Sequence, residues 1–144
     1  MKKITSLVIL TLIVAFHVVA QDTEQEKDFV SRLEAFQKTG DLDKMTNIVW
    51  YDKSPESFQE FTTHYFESVI VRGIKSVKFE PLPSALSASA SIDGKSYVPN
   101  LTPYKMVTVN YQTIVKNGSE GFGMITGIKD VKIFICGLKE KSKL

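Results

Sequence analysis

Cysteine and histidine are scarce in this sequence of 144 residues, and their scarcity excludes several kinds of site. Cys136 is the only cysteine, so one chain can form neither a disulfide framework nor a cysteine-based metal site. Of the two histidines, His17 lies in the first twenty residues and only His64 lies beyond them. Zinc sites draw mainly on histidine and cysteine, so we expect no metal ion, and no other cofactor is indicated.

Clustered basic residues and a phosphate-binding loop are also lacking. The chain has two arginines and no dense lysine cluster, which argues against nucleic-acid binding. The glycines from Gly121 to Gly127 lack the strand–loop–helix context of a phosphate loop. Residues 22–67 carry 11 acids and 5 bases, whereas residues 68–144 carry 5 acids and 11 bases. This asymmetry indicates either acidic helices on a basic-edged sheet or a basic sheet face that meets an anion.

The one long apolar run lies at the start of the chain. Two lysines precede the run from Ile4 to Phe16, and Val18 and Ala20 suit the −3 and −1 positions of a signal peptidase site. We therefore expect the first twenty residues to be an export signal, cleaved between Ala20 and Gln21. The alternative is an uncleaved anchor, because the apolar segment reaches the short limit of about 17 residues for a bilayer span.

Cleavage would leave residues 21–144 as a single domain, long enough to bury one core. The cleavage point has no nearby cysteine, so a lipid anchor is not expected. The lysine-led signal looks bacterial, and we expect a periplasmic or extracellular protein with no membrane association after cleavage.

Three helices are predicted in the first half of this domain. The first starts with a capping box between Thr23 and Glu26 and carries an apolar stripe of Phe29, Val30, Leu33 and Phe36 before Gly40 ends it. Asp41 is placed to cap a short second helix with apolar residues from Leu42 to Val49.

The third helix is predicted to begin at Ser54 and Pro55, with a hydroxyl cap followed by proline at the first helical position. It would run to about Ile70. Its buried stripe is predicted to consist of Phe58, Phe61, Tyr65 and Val69.

The second half of the domain alternates with the two-residue period of strands. The clearest strand has Val107, Val109, Tyr111, Thr113 and Val115 on one face. Asp93-Gly94 and Asn117-Gly118 are hairpin signals, and residues 84–91 are interpreted as a loose strand or loop. Gly121 and Gly123 share one strand face, where glycine either permits curvature or lets a bulky neighbour come close.

Helices followed by an antiparallel meander define an α+β fold. We expect three N-terminal helices packed in a curved antiparallel sheet, which can enclose a pocket.

This chain resembles the nuclear transport factor 2-like superfamily, also called SnoaL-like, a cystatin-like α+β cone. The resemblance rests on "LEAFQKTGDLDKMTNIVWYD", residues 33–52, which is similar to that family's helix, Gly-Asp turn, second helix and aromatic-acid exit. Two later segments, "DGKSYVPNLTPYKMVTVNY" and "GIKDVKIFICGL", are similar to small exported bacterial proteins of unassigned activity. In those proteins we expect glycine after the Lys-Asp turn, whereas this chain has Val131, which puts the tightness of that hairpin in question.

The resemblance implies either catalysis or binding, since some members of the superfamily are isomerases, dehydratases or cyclases and others are binding or assembly domains. An isomerase of this kind needs a carboxylate base facing an oxyanion site. Asp52, with Tyr51 beside it, is the candidate base, and His64 is the other candidate. Each has a structural alternative: Asp52 as a solvated loop acid and His64 as a surface histidine.

Aromatic residues are the candidate ligand-binding group. Trp50, Tyr65, Tyr97 and Tyr111 could line an apolar cavity with a few polar tips, or could be ordinary core residues. We expect a non-catalytic domain that binds a hydrophobic small molecule or a protein partner. The alternatives are a SnoaL-like isomerase or lyase acting on a hydrophobic ring substrate, and a structural homodimer that pairs through its sheet faces.

Overall fold

The computed structural model describes residues 23–84 and 89–142. The predicted export signal, its cleavage point at Ala20 and Gln21, and residues 85–88 of the predicted loose strand or loop lie outside the described residues. Among the residues described, no helix has the length and apolar character needed to cross a membrane.

The fold is α+β, with the helices before most of the strands, as the sequence predicts. Along the chain the elements are α1 (Glu24–Thr39), a 3₁₀ helix (Leu42–Asn47), β1 (Val49–Trp50), α2 (Glu56–Arg72), β2 (Ile74–Glu80), β3 (Ala90–Ile92), β4 (Lys95–Pro99), β5 (Pro103–Tyr111), β6 (Gly121–Lys129), β7 (Lys132–Cys136) and β8 (Leu138–Glu140). The larger sheet is curved and unclosed, with strand order β1-β7-β6-β5-β2, and a smaller sheet has the order β3-β4-β8.

Helix α1 begins and ends as predicted. The Thr23 side chain accepts from the Glu26 N–H, and the Glu26 carboxylate accepts from the Thr23 N–H, which completes the capping box. Gly40 ends the helix in the left-handed conformation, with φ 64°. The apolar stripe of α1 is buried in the core through Phe29, Leu33 and Phe36.

The predicted second helix is a single short 3₁₀ helix of six residues. Asp41 caps it as expected, since its carboxylate accepts from the Asp43 N–H at 3.0 Å. The chain then enters β1, which pairs in parallel with β7 through Val49 opposite Ile135. The larger sheet is therefore mixed, with one short parallel pair at its edge, where the sequence predicted only antiparallel pairing.

Helix α2 differs from its prediction at both its start and its buried face. It begins at Glu56, Pro55 occupies the N-cap position, and Ser54 makes no cap because its hydroxyl accepts from the Leu138 N–H instead. The buried residues of α2 are Thr62, Phe66 and Val69, whereas Phe61 is 53% exposed. Of the predicted stripe, Val69 is buried and Phe58 and Tyr65 pack half-buried against the core, so the prediction is wrong at Phe61. Thr62 and Phe66 are the buried residues that it missed.

The core lies between the two α-helices and the larger sheet. The α1 and α2 side chains meet edge-to-face at Phe36 and Phe66, whose ring centroids lie 5.3 Å apart. From the sheet, Val107, Val109 and Tyr111 of β5 and Ile133 and Ile135 of β7 are at most 2% exposed. Burying each such side chain contributes about 1.5–3 kcal/mol to the stability of the fold.

The strand predicted to continue to Val115 ends at Tyr111. Residues 112–120 form the connection to β6, and Ile114 and Val115 are exposed. The predicted turn at Asn117-Gly118 exists within this longer loop, where the Gly118 N–H donates to Val115 O at 3.0 Å and Asn117 has φ 62°. Arg72 holds the loop by donating to two of its carbonyls, those of Thr113 and Ser119, each at 2.8 Å.

The hairpin at Asp130-Val131 is as tight as a hairpin with glycine. Only these two residues separate β6 from β7, because Lys129 pairs with Lys132, and both have positive φ, 49° and 59°. A β-branched residue in the left-handed region costs roughly 1–2 kcal/mol. The Val131 carbonyl accepts from Gln25 Nε2 at 3.0 Å, a contact that helps to hold the turn against α1.

Candidate functional site

The residues proposed for catalysis lie in different surroundings. Asp52 lies in the turn after β1 and is exposed; its backbone carbonyl accepts from Asn100 Nδ2 at 2.9 Å. His64 is also exposed, on α2, with its ring centroid 5.9 Å from that of Tyr65. No contact joins Asp52 to His64 in the described part of the chain.

Tyr51 is half-buried, and its phenol already has a partner. Its hydroxyl lies 2.6 Å from Thr62 Oγ1. The Thr62 hydroxyl donates to the carbonyls of Phe58 and Gln59 at 3.1 and 3.0 Å, so Tyr51 is the donor of the pair. Burial raises the pKa of Tyr51, and the hydrogen bond with Thr62 offsets part of that rise. Because the Tyr51 hydroxyl already donates its proton to Thr62, Tyr51 would have to break this hydrogen bond before it could stabilise an oxyanion.

The four aromatic residues proposed for ligand binding do not converge on one cavity. Tyr111 is 2% exposed beneath Arg72, whose guanidinium carbon lies 4.1 Å from the ring centroid. Tyr97 is buried in the smaller sheet. Tyr65 packs on Phe122 at 5.3 Å. Trp50 lies apart from these residues, at the edge of the larger sheet in β1.

An apolar cleft opens between the N-terminal half of α2, the middle of β6, the C-terminal ends of β4 and β7 and the start of β8. It has a volume of about 140 Å³, and its walls include Phe58, Phe61, Pro99, Met124, Cys136 and Leu138. None of the side chains that line it, in the part of the chain that the structure describes, is charged. We call it the apolar cleft below.

A row of aromatic rings leads along α2 to this cleft. Tyr51 packs on Phe58 at 6.3 Å, Phe58 on Phe61 at 6.4 Å, and Phe61 on Tyr65 at 5.0 Å between ring centroids. Tyr51, a candidate for catalysis, and Tyr65, a candidate for ligand binding, therefore pack on the two phenylalanines that line the cleft. Phe61 is the exposed member of the row, and the other three are half-buried.

Cys136 lines the apolar cleft as an unreactive thiol. It is 6% exposed, and its Sγ lies 3.9 Å from the Leu101 carbonyl oxygen. Burial raises the pKa of Cys136 to about 11. At neutral pH the thiol is therefore protonated and contributes an apolar surface rather than a nucleophile.

The back of the cleft is a tight crossing of backbone segments. Asn100 Nδ2 donates to the carbonyls of Trp50 and Asp52 at 2.7 and 2.9 Å, and the Asn100 N–H donates to Gly137 O at 3.1 Å. A Cβ on Gly137 would lie 2.2 Å from both Ser54 Oγ and Trp50 O. No local pattern in the sequence indicates Asn100 or Gly137 as site residues, because none shows that the two segments cross there.

A second unpredicted cluster centres on Glu26, which is 2% exposed. Besides the Thr23 N–H, its carboxylate accepts from Tyr104 Oη at 2.9 Å and from Lys105 Nζ at 2.6 Å. Burial works to raise the pKa of the Glu26 carboxyl, but the Lys105 and Tyr104 hydrogen bonds and the Lys105 charge outweigh it, so the pKa is lowered. The hydrogen bond to Glu26 in turn raises the pKa of Lys105.

Within residues 23–84 and 89–142, no group of three or more histidine, cysteine, aspartate or glutamate side chains is arranged to hold a metal ion. Comparison of the chain with protein-family models, with curated proteins and with solved structures yields no significant match.

Proposed function

We propose that this chain is a small exported domain that binds an apolar group of a small molecule or protein partner in the apolar cleft, without catalysing a reaction. The observation that supports this proposal is the exposure of Phe61, a large aromatic side chain that lines the apolar cleft and is 53% exposed. The free energy of such apolar surface falls when another molecule covers it and removes it from water. Ligand-binding sites are commonly concave and lined by apolar and aromatic side chains, as this cleft is.

The size of the cleft limits what enters it. Its 140 Å³ is below the roughly 300 Å³ at which small-molecule sites usually begin. An apolar cavity of about 150 Å³ is enough for a benzene-sized molecule. The occupant therefore inserts one ring or a short alkyl segment, and the rest of it lies over the exposed face of α2 around Phe61.

The chemistry around the cleft favours binding over the isomerase or lyase alternative. The charged candidate base, Asp52, is exposed, and the Tyr51 phenol donates to Thr62. The thiol of Cys136 is protonated at neutral pH. A general base has to reach the proton that it removes, and among the described residues no titratable side chain with that ability lines the cleft.

We propose further that the domain has the cone-shaped fold of the nuclear transport factor 2-like superfamily, with the 3₁₀ helix as the second of its three helices. Support comes from the order of elements and from the Gly-Asp turn at Gly40 and Asp41, which joins α1 to the 3₁₀ helix. The curved larger sheet, packed against α1 and α2, is the counterpart of the cone's wall.

Export is proposed from the lysine-led apolar segment that precedes Gln21. When the full-length chain is produced in bacterial cells, we expect an exported protein whose N-terminal residue is Gln21, because signal peptidase selects small residues such as Val18 and Ala20. Mass spectrometry of the protein from the exported fraction gives the cleavage point. A control chain without residues 2–20 should stay inside the cell, and an intact mass that includes the first twenty residues would contradict cleavage.

Phe61→Ser tests the binding proposal. A neutral aromatic probe, N-phenyl-1-naphthylamine, is expected to bind the wild-type protein and to bind this variant at least about tenfold more weakly, because an aromatic contact worth about 1.4 kcal/mol is lost. The increase in probe fluorescence on binding provides the measurement. Since Phe61 is half-exposed, the variant should keep its fold.

The matched control is Val71→Ser on the same helix. Val71 is 83% exposed and does not line the cleft, so its replacement removes surface apolarity without touching the site. Equal binding of the probe by Phe61→Ser and wild-type protein would refute the proposed site. Equal losses in both variants would show binding to exposed apolar surface in general, and would refute it as well.

A further inference from the structure

A second cavity, here called the Trp50 groove, lies between α1, the 3₁₀ helix, β1 and β7. It has a volume of about 510 Å³, and its lining includes Arg32, Thr39, Lys44, Trp50, Lys132 and Phe134. This volume falls within the range of about 300–1,000 Å³ that is usual for small-molecule sites. The groove shares no residue with the apolar cleft, so it is a separate candidate site.

The charges that line the groove are all of one sign. Three cationic side chains line it, and no aspartate or glutamate of the described chain does so. Lys44 and Lys132 form no ion pair with another described residue, so both charges are available. A third lysine, Lys129, lies at the edge, with Nζ 5.8 Å from the Trp50 ring centroid. Like charges held around one hollow create a positive potential that attracts an anion.

Arg32 forms part of the wall and is not one of the free donors. Its Nε donates to Asp28 at 2.9 Å, its Nη2 donates to Ile133 O at 2.6 Å, and its Nη1 donates to Asn47 O. Its guanidinium carbon also lies 5.2 Å from the Phe134 ring centroid. These contacts hold the cationic plane in place, and Asp28 compensates its charge. The two lysines are therefore the groups that can meet a ligand's anionic group.

The groove also has an aromatic wall with an unused donor. Trp50 and Phe134 pack edge-to-face, with ring centroids 5.4 Å apart and an interplanar angle of 62°. The Trp50 indole N–H has no hydrogen-bond partner among the described residues, and it is not among their buried unpaired polar atoms. It is therefore open to solvent and can donate to a ligand.

From these features we infer that the Trp50 groove binds a small aromatic carboxylate. The flat ring of the ligand packs on Trp50 and Phe134, and its carboxylate accepts from Lys44 and Lys132. This arrangement satisfies both the apolar wall and the two unpaired charges, which a neutral ring or a simple inorganic anion would not do. The inference goes beyond the proposed function, because it assigns a second ligand class to a different surface.

The sequence provides a direct probe of the groove, because Trp50 is the only tryptophan. The protein therefore gives one indole N–H signal in a proton–nitrogen correlation spectrum. On titration with 2-naphthoate, we expect this signal to shift and saturate with a Kd on the order of 0.1 mM. The neutral analogue 2-naphthamide is expected to bind at least about fivefold more weakly, and added salt should weaken the naphthoate complex.

Two double variants decide whether the lysines recognise the carboxylate. Lys44→Gln with Lys132→Gln is expected to raise the Kd for naphthoate about tenfold, since each exposed ion pair contributes up to about 1 kcal/mol. Lys75→Gln with Lys78→Gln, which removes two exposed charges from β2, is the matched control and should leave the Kd unchanged. Equal binding of naphthoate and naphthamide, or equal losses in the two double variants, would overturn the inference. Phe61→Ser should leave the naphthoate titration unchanged. Failure of the proposal for the Trp50 groove can therefore be distinguished from failure of the proposal for the apolar cleft.

Discussion

Replacing Glu26 by alanine is expected to lower the free energy of unfolding by about 2–3 kcal/mol, a large fraction of the stability of a domain of this size. The carboxylate is 2% exposed and accepts from three donors, the Thr23 N–H, Tyr104 Oη and Lys105 Nζ. Its removal leaves the Tyr104 hydroxyl and the Lys105 ammonium without their partner, and leaves a hole under α1. Urea denaturation of the purified protein measures the loss.

Glu24→Ala is the control for this prediction, because it removes a carboxylate from the same helical turn. Glu24 pairs with Lys27, but the two side chains are 91% and 60% exposed, so its loss should cost at most about 0.5 kcal/mol. Replacing both Glu26 and Lys105 by methionine should cost less than Glu26→Ala alone, since no charge is then left unpaired. Similar losses for Glu24→Ala and Glu26→Ala would show that the contacts of the buried Glu26 carboxylate contribute no more than the exposed Glu24–Lys27 pair.

The pH dependence of the free energy of unfolding of the wild-type protein should reveal the contribution of the Glu26 carboxylate. The pKa of Glu26 is lowered in the folded protein, so its contribution to stability is complete above the ordinary carboxyl pKa of 4.5. This contribution is lost as the pH falls below 4.5 toward the pKa of the folded protein. The Glu26→Ala variant should therefore lose less stability over this acid range than the wild-type protein does.

Local signals in the sequence were sufficient wherever neighbouring residues form the contact. The capping box of Thr23 and Glu26, the glycine that ends α1 and the Asp41 cap are all confirmed. The Asp93-Gly94 hairpin is confirmed too, because Ile92 pairs with Lys95 across it. Each of these features depends on hydrogen bonds or backbone angles within four residues.

The predictions that failed involve partners distant along the chain. Ser54 was predicted to cap α2, but its hydroxyl accepts from Leu138, 84 residues away. The strand predicted to reach Val115 stops at Tyr111, because Gln112 and Thr113 donate instead to the carbonyls of Gly73 and Arg72. Periodicity carries no information about such partners, so tertiary contacts decided these positions.

The sequence predicted an aromatic, apolar site but did not identify most of the residues that form it. The predicted ligand aromatics separate because they belong to elements that fold onto different sides of the sheet: Tyr111 is core, Tyr97 lies in the smaller sheet and Trp50 lines its own groove. The apolar cleft depends on Pro99 and Leu138, whose surroundings in the sequence carry no site pattern. Phe58 and the exposed Phe61, both predicted as buried stripe residues, link the sequence pattern to the proposed site.

Gly121 and Gly123 lie on the same face of β6 but have different surroundings. The sequence predicts that Gly121 and Gly123 either permit curvature or admit a close neighbour. A Cβ on Gly121 would lie 2.1 Å from Val109 O and 2.9 Å from Asn110 Cα, both backbone atoms of β5. A Cβ on Gly123 would meet nothing closer than Met106 Sδ at 3.7 Å, which is ordinary van der Waals contact. Close approach therefore explains Gly121 alone.

Gly121→Ala is expected to destabilise the protein by about 3 kcal/mol or more, because backbone atoms of β5 must move and Val109 belongs to the core. Gly123→Ala, two residues along the same strand face, should change stability by no more than about 0.5 kcal/mol, with a slight gain because alanine has less unfolded-state freedom. Both variants carry the same added methyl group, so the difference between their urea midpoints isolates the approach of β5. If the two variants lose stability equally, curvature of the sheet rather than the Val109 carbonyl requires glycine at both positions.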